Sequence, residues 1–178
     1  MRVIAGRLGG RQFDSPSGHR THPMSDKIRG ALFNVLGDIE GLTVLDAFAG
    51  TGACGFEAIS RGASYVVAID VDKNAVQTIR DNAANLKIDS QMKIIQANTI
   101  SWSENNPEAV FDIVILDPPY DDVKTSQLST LVEHTKTGGL IIISLPPTVM
   151  LSLANEEYDL ISQKSYGDAT LSFCRKTG

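Results

Sequence analysis

The sequence predicts an α/β fold: a doubly wound, mostly parallel sheet that closes with a C-terminal antiparallel hairpin, preceded by a small N-terminal β-hairpin and helix. Three observations predict it. From residue 41 onward, short apolar runs alternate with helical periodicity, the pattern of parallel strands covered on both faces. The first run feeds a turn with three glycines, Gly50, Gly52 and Gly55, and then a helix start. The tail holds two strand-like runs about a tight turn with no helix between them.

In order, residues 2–4 and 11–13 read as short strands around Gly9-Gly10, and residues 14–18 as a loop. Ser25 is placed to cap a helix over 26–36 whose apolar face is Ile28, Ala31, Leu32 and Val35. Strands are predicted at 42–47, 65–70, 92–96, 111–116 and 140–145, and helices at 53–60, 73–86 and 124–135. Ala75, Val76, Ile79 and Ala83 form the buried stripe of the second of these helices. Residues 158–165 and 170–175, joined at Gly167-Asp168, make the final hairpin. Its last strand inserts antiparallel, as in the methyltransferase variant of this sheet, whereas a nicotinamide-binding domain more often adds another βα unit.

The chain of 178 residues is expected to form one domain, with residues 1–40 as an N-terminal extension and 41–178 as the core. The N-terminus lacks an apolar core and residues 139–145 are too short to cross a bilayer, so a cytoplasmic protein is expected. Cys54 and Cys174 show no metal or redox spacing and read as buried thiols. His19, His22 and His134 form no ligand set and are expected in loops or on the surface. The net charge of −5 is unevenly spread: residues 1–29 hold six basic and two acidic side chains, and the remainder ten basic and nineteen acidic. A basic arm on an acidic body is expected to meet phosphates, through Arg2, Arg7, Arg11, Arg20, Lys27 and Arg29.

Glycines after a strand let a ligand approach the backbone, and the helix start behind them offers free N–H donors. Gly50, Gly52 and Gly55 also fit the dinucleotide fingerprint, with Asp70 twenty residues on. Asp46 favours a different ligand. A carboxylate ending the strand would repel a diphosphate, but it suits the ammonium group of S-adenosylmethionine (AdoMet). The cofactor contacts are expected at Asp46, Ala47, Phe48, Gly50, Thr51 and Gly52, at Asp70 and Val71 after the second strand, and at Asn98 and Thr99 after the third. Asp70 would accept the ribose hydroxyls, and Asp72 would cap the next helix. Asn98 reads equally as an adenine contact or as a helix N-cap, while Trp102 and the Phe48 ring read as core.

Asp117-Pro118-Pro119-Tyr120 follows the fourth strand directly. Two prolines fix φ and forbid helix, which sets the direction of the carbonyls there. Asp117 and the Pro118 carbonyl can each accept a hydrogen from an exocyclic amine, aiming its lone pair at a sulfonium methyl, with Tyr120 stacked on an unstacked base.

Asp46-Ala47-Phe48-Ala49-Gly50-Thr51-Gly52, Asp117-Pro118-Pro119-Tyr120 and the leader from His22 to Asn34 resemble the bacterial 16S ribosomal RNA guanine-N2 methyltransferases, over about residues 4–173. The resemblance implies AdoMet contacts at Asp46, Gly50, Gly52, Asp70 and Asn98, amine contacts at Asp117 and Pro118, and stacking by Tyr120. It also implies that the leader borders the cofactor mouth and faces RNA, with 16S rRNA or the small ribosomal subunit as partner. No metal is expected, since no zinc-type spacing is present, and a monomer is the expected form. Where the family has Arg-Pro-Thr this chain has His22-Pro23-Met24, and where it has Glu this chain has Gly30. Asp-Pro-Pro-Tyr alone also fits an adenine-N6 methyltransferase acting on DNA or RNA. The glycine turn alone fits an idle AdoMet-binding module or a nicotinamide oxidoreductase, and the basic arm alone fits an idle RNA-binding module.

Overall fold

The computed structural model describes residues 1–17, 23–149, 153 and 157–178. The helices are α1 (Asp26–Leu36), α2 (Ala53–Ser60), α3 (Lys73–Leu86), α4 (Thr99–Asn105) and α5 (Thr125–Leu131). The strands are β1 (Thr43–Asp46), β2 (Tyr65–Asp70), β3 (Met92–Gln96), β4 (Phe111–Leu116), β5 (Thr135–Leu145), β6 (Tyr158–Tyr166) and β7 (Ala169–Lys176). They form one sheet in the order β3-β2-β1-β4-β5-β7-β6. The first five strands run parallel, and β7 inserts antiparallel between β5 and β6. The order in which the strands are laid down reverses between β1 and β4, so the carboxyl ends of these parallel neighbours open a crevice.

Alternate residues of each strand feed two cores. Val44, Val66, Ala68, Ile113, Ile115 and Ile142 pack with α1, α2 and α3 on one face. Leu45, Val67, Ile69, Val114, Leu116, Ile141 and Ile143 pack with Trp102, Leu128 and Leu131 on the other. This two-sided burial explains the near-continuous apolar runs of the strands.

The N-terminal pairing is a bridge, Arg2 to Gln12, made by the Val3 amide to the Arg11 carbonyl and the Phe13 amide to the Met1 carbonyl and extended by the Gly10 amide to the Val3 carbonyl, with left-handed turns at Gly6 and Gly10. In α1, Ser25 accepts the Ile28 amide as the capping residue. Of the expected face, Leu32 is fully buried and Ile28 and Val35 pack partly buried against the core, but the fully buried residues also include Arg29 and Phe33, which were not expected there. Arg29 goes inward to meet Glu57, also fully buried, 3.8 Å away.

Two further expectations are corrected. The helix expected over 124–135 ends at Leu131, and after one tight turn Thr135 already pairs with Phe111, so β5 begins five residues early. The irregularity falls at Gly138 and Gly139, where a Cβ on Gly139 would lie 2.8 Å from the Asp112 carbonyl. His134 is buried rather than on the surface. Its ring bridges Ser103 Oγ at 2.7 Å and the Ala109 carbonyl at 2.6 Å, and packs on Trp102. His19 and His22 lie outside the described residues. Cys54 and Cys174 are free and buried. Among the described residues no helix is long and apolar enough to cross a membrane, and no three His, Cys, Asp or Glu side chains form a metal-holding group.

Candidate active site

The turn between β1 and α2 needs its glycines. Gly50 and Gly52 have φ of 53° and 78°, and a Cβ on Gly52 would come 2.9 Å from the Phe56 ring and 3.0 Å from Ile79. Gly52 also begins α2 with no side-chain cap. The first turn of that helix therefore faces the crevice with backbone donors. Asp70, at the end of β2, ties the turn down: Oδ2 accepts the Gly50 amide at 2.7 Å and Oδ1 the Asp72 amide at 2.8 Å. A carboxylate oxygen that accepts one amide keeps a second lone pair for another donor. Val71 beside it is 69% exposed. Asp72 caps α3, as expected.

Asp46 ends β1 and is 2% exposed, and its Oδ2 has no hydrogen-bond partner. Burial, then the nearby charges of Asp117 and Asp70, push its carboxyl up to about 7, against opposing hydrogen bonds from the Gly55 and Phe48 amides. An orphaned, buried carboxylate oxygen behind a left-handed glycine turn suits a cationic ligand and repels a diphosphate. The donor set, a buried orphaned carboxylate behind a turn open to close approach, fits AdoMet, whose sulfonium and ammonium groups are cationic. Asn98 caps α4, its Oδ1 accepting the Ile100 and Ser101 amides. Thr99 and Thr51 are buried.

The register of β1 and β4 pairs Asp46 with Ile115, and the Ala47 amide donates to the Ile115 carbonyl. Asp117 therefore leaves the sheet beside residues 47–48, one strand from the glycine turn. Burial pushes its carboxyl up to about 6, against a hydrogen bond from Ser144. Pro118 is buried and Pro119 exposed. Tyr120 is 38% exposed, with its hydroxyl 2.7 Å from Ser144 Oγ. The β6–β7 turn reaches the same edge, where the Asp168 charge helps to hold the Tyr120 proton on, after the larger effect of burial. Sequence reasoning missed Ser144. The signal was there: one hydroxyl near the carboxyl end of an aliphatic strand, Leu140-Ile141-Ile142-Ile143-Ser144-Leu145.

The basic arm divides. Arg29 and Phe33 of α1 meet Glu57 and Arg61 of α2, four residues on in both helices, so the helices run parallel. The start of α1 thus lies toward the start of α2, and Arg2, paired with Asp26 at 3.0 Å, and exposed Lys27 sit on the cofactor side. Arg7 bonds Gln91, and Arg11 reaches the Asn85 carbonyl, at the opposite ends of α2 and α3. A cleft of about 400 Å³ lined by Arg7, Arg61, Ser64 and Gln91 opens there, at the amino edge of the sheet and away from Asp117. Arg29 was expected to meet RNA. That expectation is corrected: it is 0% exposed, and it spends its donors on the Arg2 and Met24 carbonyls and Asp26. Arg20 lies outside the described residues.

Residues 1–175 match the family described as Conserved hypothetical protein 95. The chain belongs to that family. Among its relatives is the Ribosomal RNA small subunit methyltransferase D of Haemophilus influenzae, 31% identical over 175 residues, covering 94% of this chain and 89% of the relative. A Bacillus subtilis protein provisionally named rRNA methyltransferase YlbH is 30% identical over 184 residues and covers both chains completely. A solved Escherichia coli structure, provisionally named methyltransferase yhhF, superposes with a TM-score of 0.87 at 27% identity, covering 99% of this chain and 98% of that one. The fold is that of these methyltransferases.

Proposed function

We propose that this chain transfers a methyl group from AdoMet to the exocyclic N2 amine of a guanine in 16S rRNA of the small ribosomal subunit. When bound, AdoMet supplies a methyl group on a positively charged sulfur. Asp46 neutralises the cationic end of that ligand, the glycine turn admits it against the backbone, and Asp70 and exposed Val71 border its nucleoside.

One observation carries the reading. Asp46 ends β1 opposite Ile115 of β4, so Asp117 leaves the neighbouring strand two residues further on, at the same carboxyl edge. That juxtaposition suits a reacting amine gripped at Asp117 and a methyl donor seated at Asp46. Asp117 and the Pro118 carbonyl each accept one amine hydrogen, turning the nitrogen lone pair out of the ring plane toward the methyl group. No base is needed beforehand, because the amine becomes acidic only once alkylated. The exposed Tyr120 ring offers a face to the base, and Arg2 and Lys27 border the approach to the phosphates. The names of the relatives support an rRNA substrate.

The test is to label small subunits from cells lacking the protein with tritiated AdoMet and the purified chain, then to digest the RNA to nucleosides. Labelled N2-methylguanosine is the expected product. N6-methyladenosine would move the activity to adenine, and unlabelled RNA would overturn the substrate.

A further inference from the structure

Ser144 stands outside the tetrapeptide yet lies beside both of its functional side chains. Its hydroxyl is 2.7 Å from the Tyr120 hydroxyl, and the register that sets Ile143 of β5 opposite Leu116 of β4 brings Ser144 next to Asp117, whose carboxyl it holds down against the effect of burial. Ser144 is 2% exposed, so water does not compete for these bonds. A serine hydroxyl has one hydrogen to give and two lone pairs to offer. An ionised Asp117 can only accept, so the Ser144 hydrogen goes to Asp117 and the Tyr120 hydrogen goes to Ser144.

We propose that Ser144 is a positioning residue of the methyl transfer, a directed link running from the Tyr120 hydroxyl through Ser144 Oγ to the Asp117 carboxylate. The inference rests on the reading of Asp117 as amine acceptor and deepens it. The link does two jobs through one side chain. It favours the ionised form of Asp117, the form with lone pairs free for an amine, and it fixes the Tyr120 ring at the rim with one edge held to β5. The other titratable groups facing this cluster are Asp46 on β1, Cys54 on α2 and Asp168 at the β6–β7 turn. None of them is basic, so no cation opposes the effect of burial on Asp117, and the Ser144 hydroxyl is the opposing influence.

The test compares Ser144→Ala with the parent chain in two measurements. The first is a ¹³C NMR titration of the Asp117 carboxyl group, which needs no substrate. Loss of the donor should move its midpoint upward by roughly one pH unit. The second is single-turnover methylation of unmethylated small subunits across pH. The acid limb should move upward with the carboxyl group and the plateau rate should fall about 10-fold or more, with AdoMet affinity unchanged. Ser144→Thr, which keeps the hydroxyl, should restore both. Should Ser144→Ala fail to fold, Ser144→Cys, with its weaker S–H donor, should move the Asp117 midpoint in the same direction. An unmoved midpoint in the folded variants overturns the link. A shifted midpoint with no transfer to guanine by the parent chain upholds the link and overturns the substrate reading instead.

Discussion

Replacing Asp46 by Asn should make the free protein more stable and a poorer binder of its cofactor. In the free chain the Asp46 carboxyl is buried and raised from 3.8 to about 7, and one oxygen has no partner. Because the folded value lies above the unfolded one, the penalty is absent below pH 3.8, grows as the pH climbs, and is complete above pH 7. At about 1.4 kcal/mol per pH unit the ceiling of that penalty is roughly 4 kcal/mol. Urea denaturation should show Asp46→Asn gaining a large part of it at pH 8 and almost none near pH 4. The same charge is what a cationic ligand needs. AdoMet affinity of the parent chain should fall about 10-fold from pH 8 to pH 6 as the ionised fraction of a group near 7 falls. In Asp46→Asn it should be weaker at pH 8, on the order of 30-fold, and flat with pH. Calorimetric titration across that range measures both. A variant no more stable than its parent at pH 8, or a parent whose affinity ignores pH, would refute the assignment of Asp46 as the buried counter-charge.

Asp117→Ala should lower single-turnover transfer by about 100-fold or more while leaving AdoMet affinity within two-fold, measured by tritium transfer and calorimetry. Glu57→Ala should cost about 3 kcal/mol or more in urea denaturation, because it leaves the Ile4 and Ala5 amides without their acceptor and leaves buried Arg29 with only the half-exposed Asp26 as a counter-charge. Changing Arg2 and Lys27 to Gln should flatten the salt dependence of RNA binding by about 1–2 in log–log slope, with Arg7 and Arg11 changed to Gln serving as the far-side comparison.

Most strand and helix boundaries were legible because each parallel strand is buried on both faces and reads as an unbroken apolar run. Helices between them carry 3.6-residue periodicity. What escaped was set by polar contacts distant in sequence. The inward course of Arg29 depends on Glu57, which lies 28 residues after it and gives no local sign that it needs a cation. His134 is buried only because Ser103 and the Ala109 carbonyl meet its two nitrogens. The early start of β5 depends on Gly138 and Gly139, which serve as an irregularity within the strand. In the candidate site the acidic residues at the strand ends followed from the topology alone. Ser144 did not, since a serine in a strand acquires a role only from whichever side chain a neighbouring loop brings to it.

Glu57 accepts the backbone amides of Ile4 and Ala5 at 2.8 and 3.1 Å, and pairs with Arg61 at 2.7 Å, all from the helix that begins at the glycine turn. The first residues are thereby bolted to the same rod that supports the ligand cradle. Trimming them would not prune a loose end but would strip two donors from an interior carboxylate. Truncation should thus be felt in the cradle itself, whether or not the missing residues ever meet a nucleic acid.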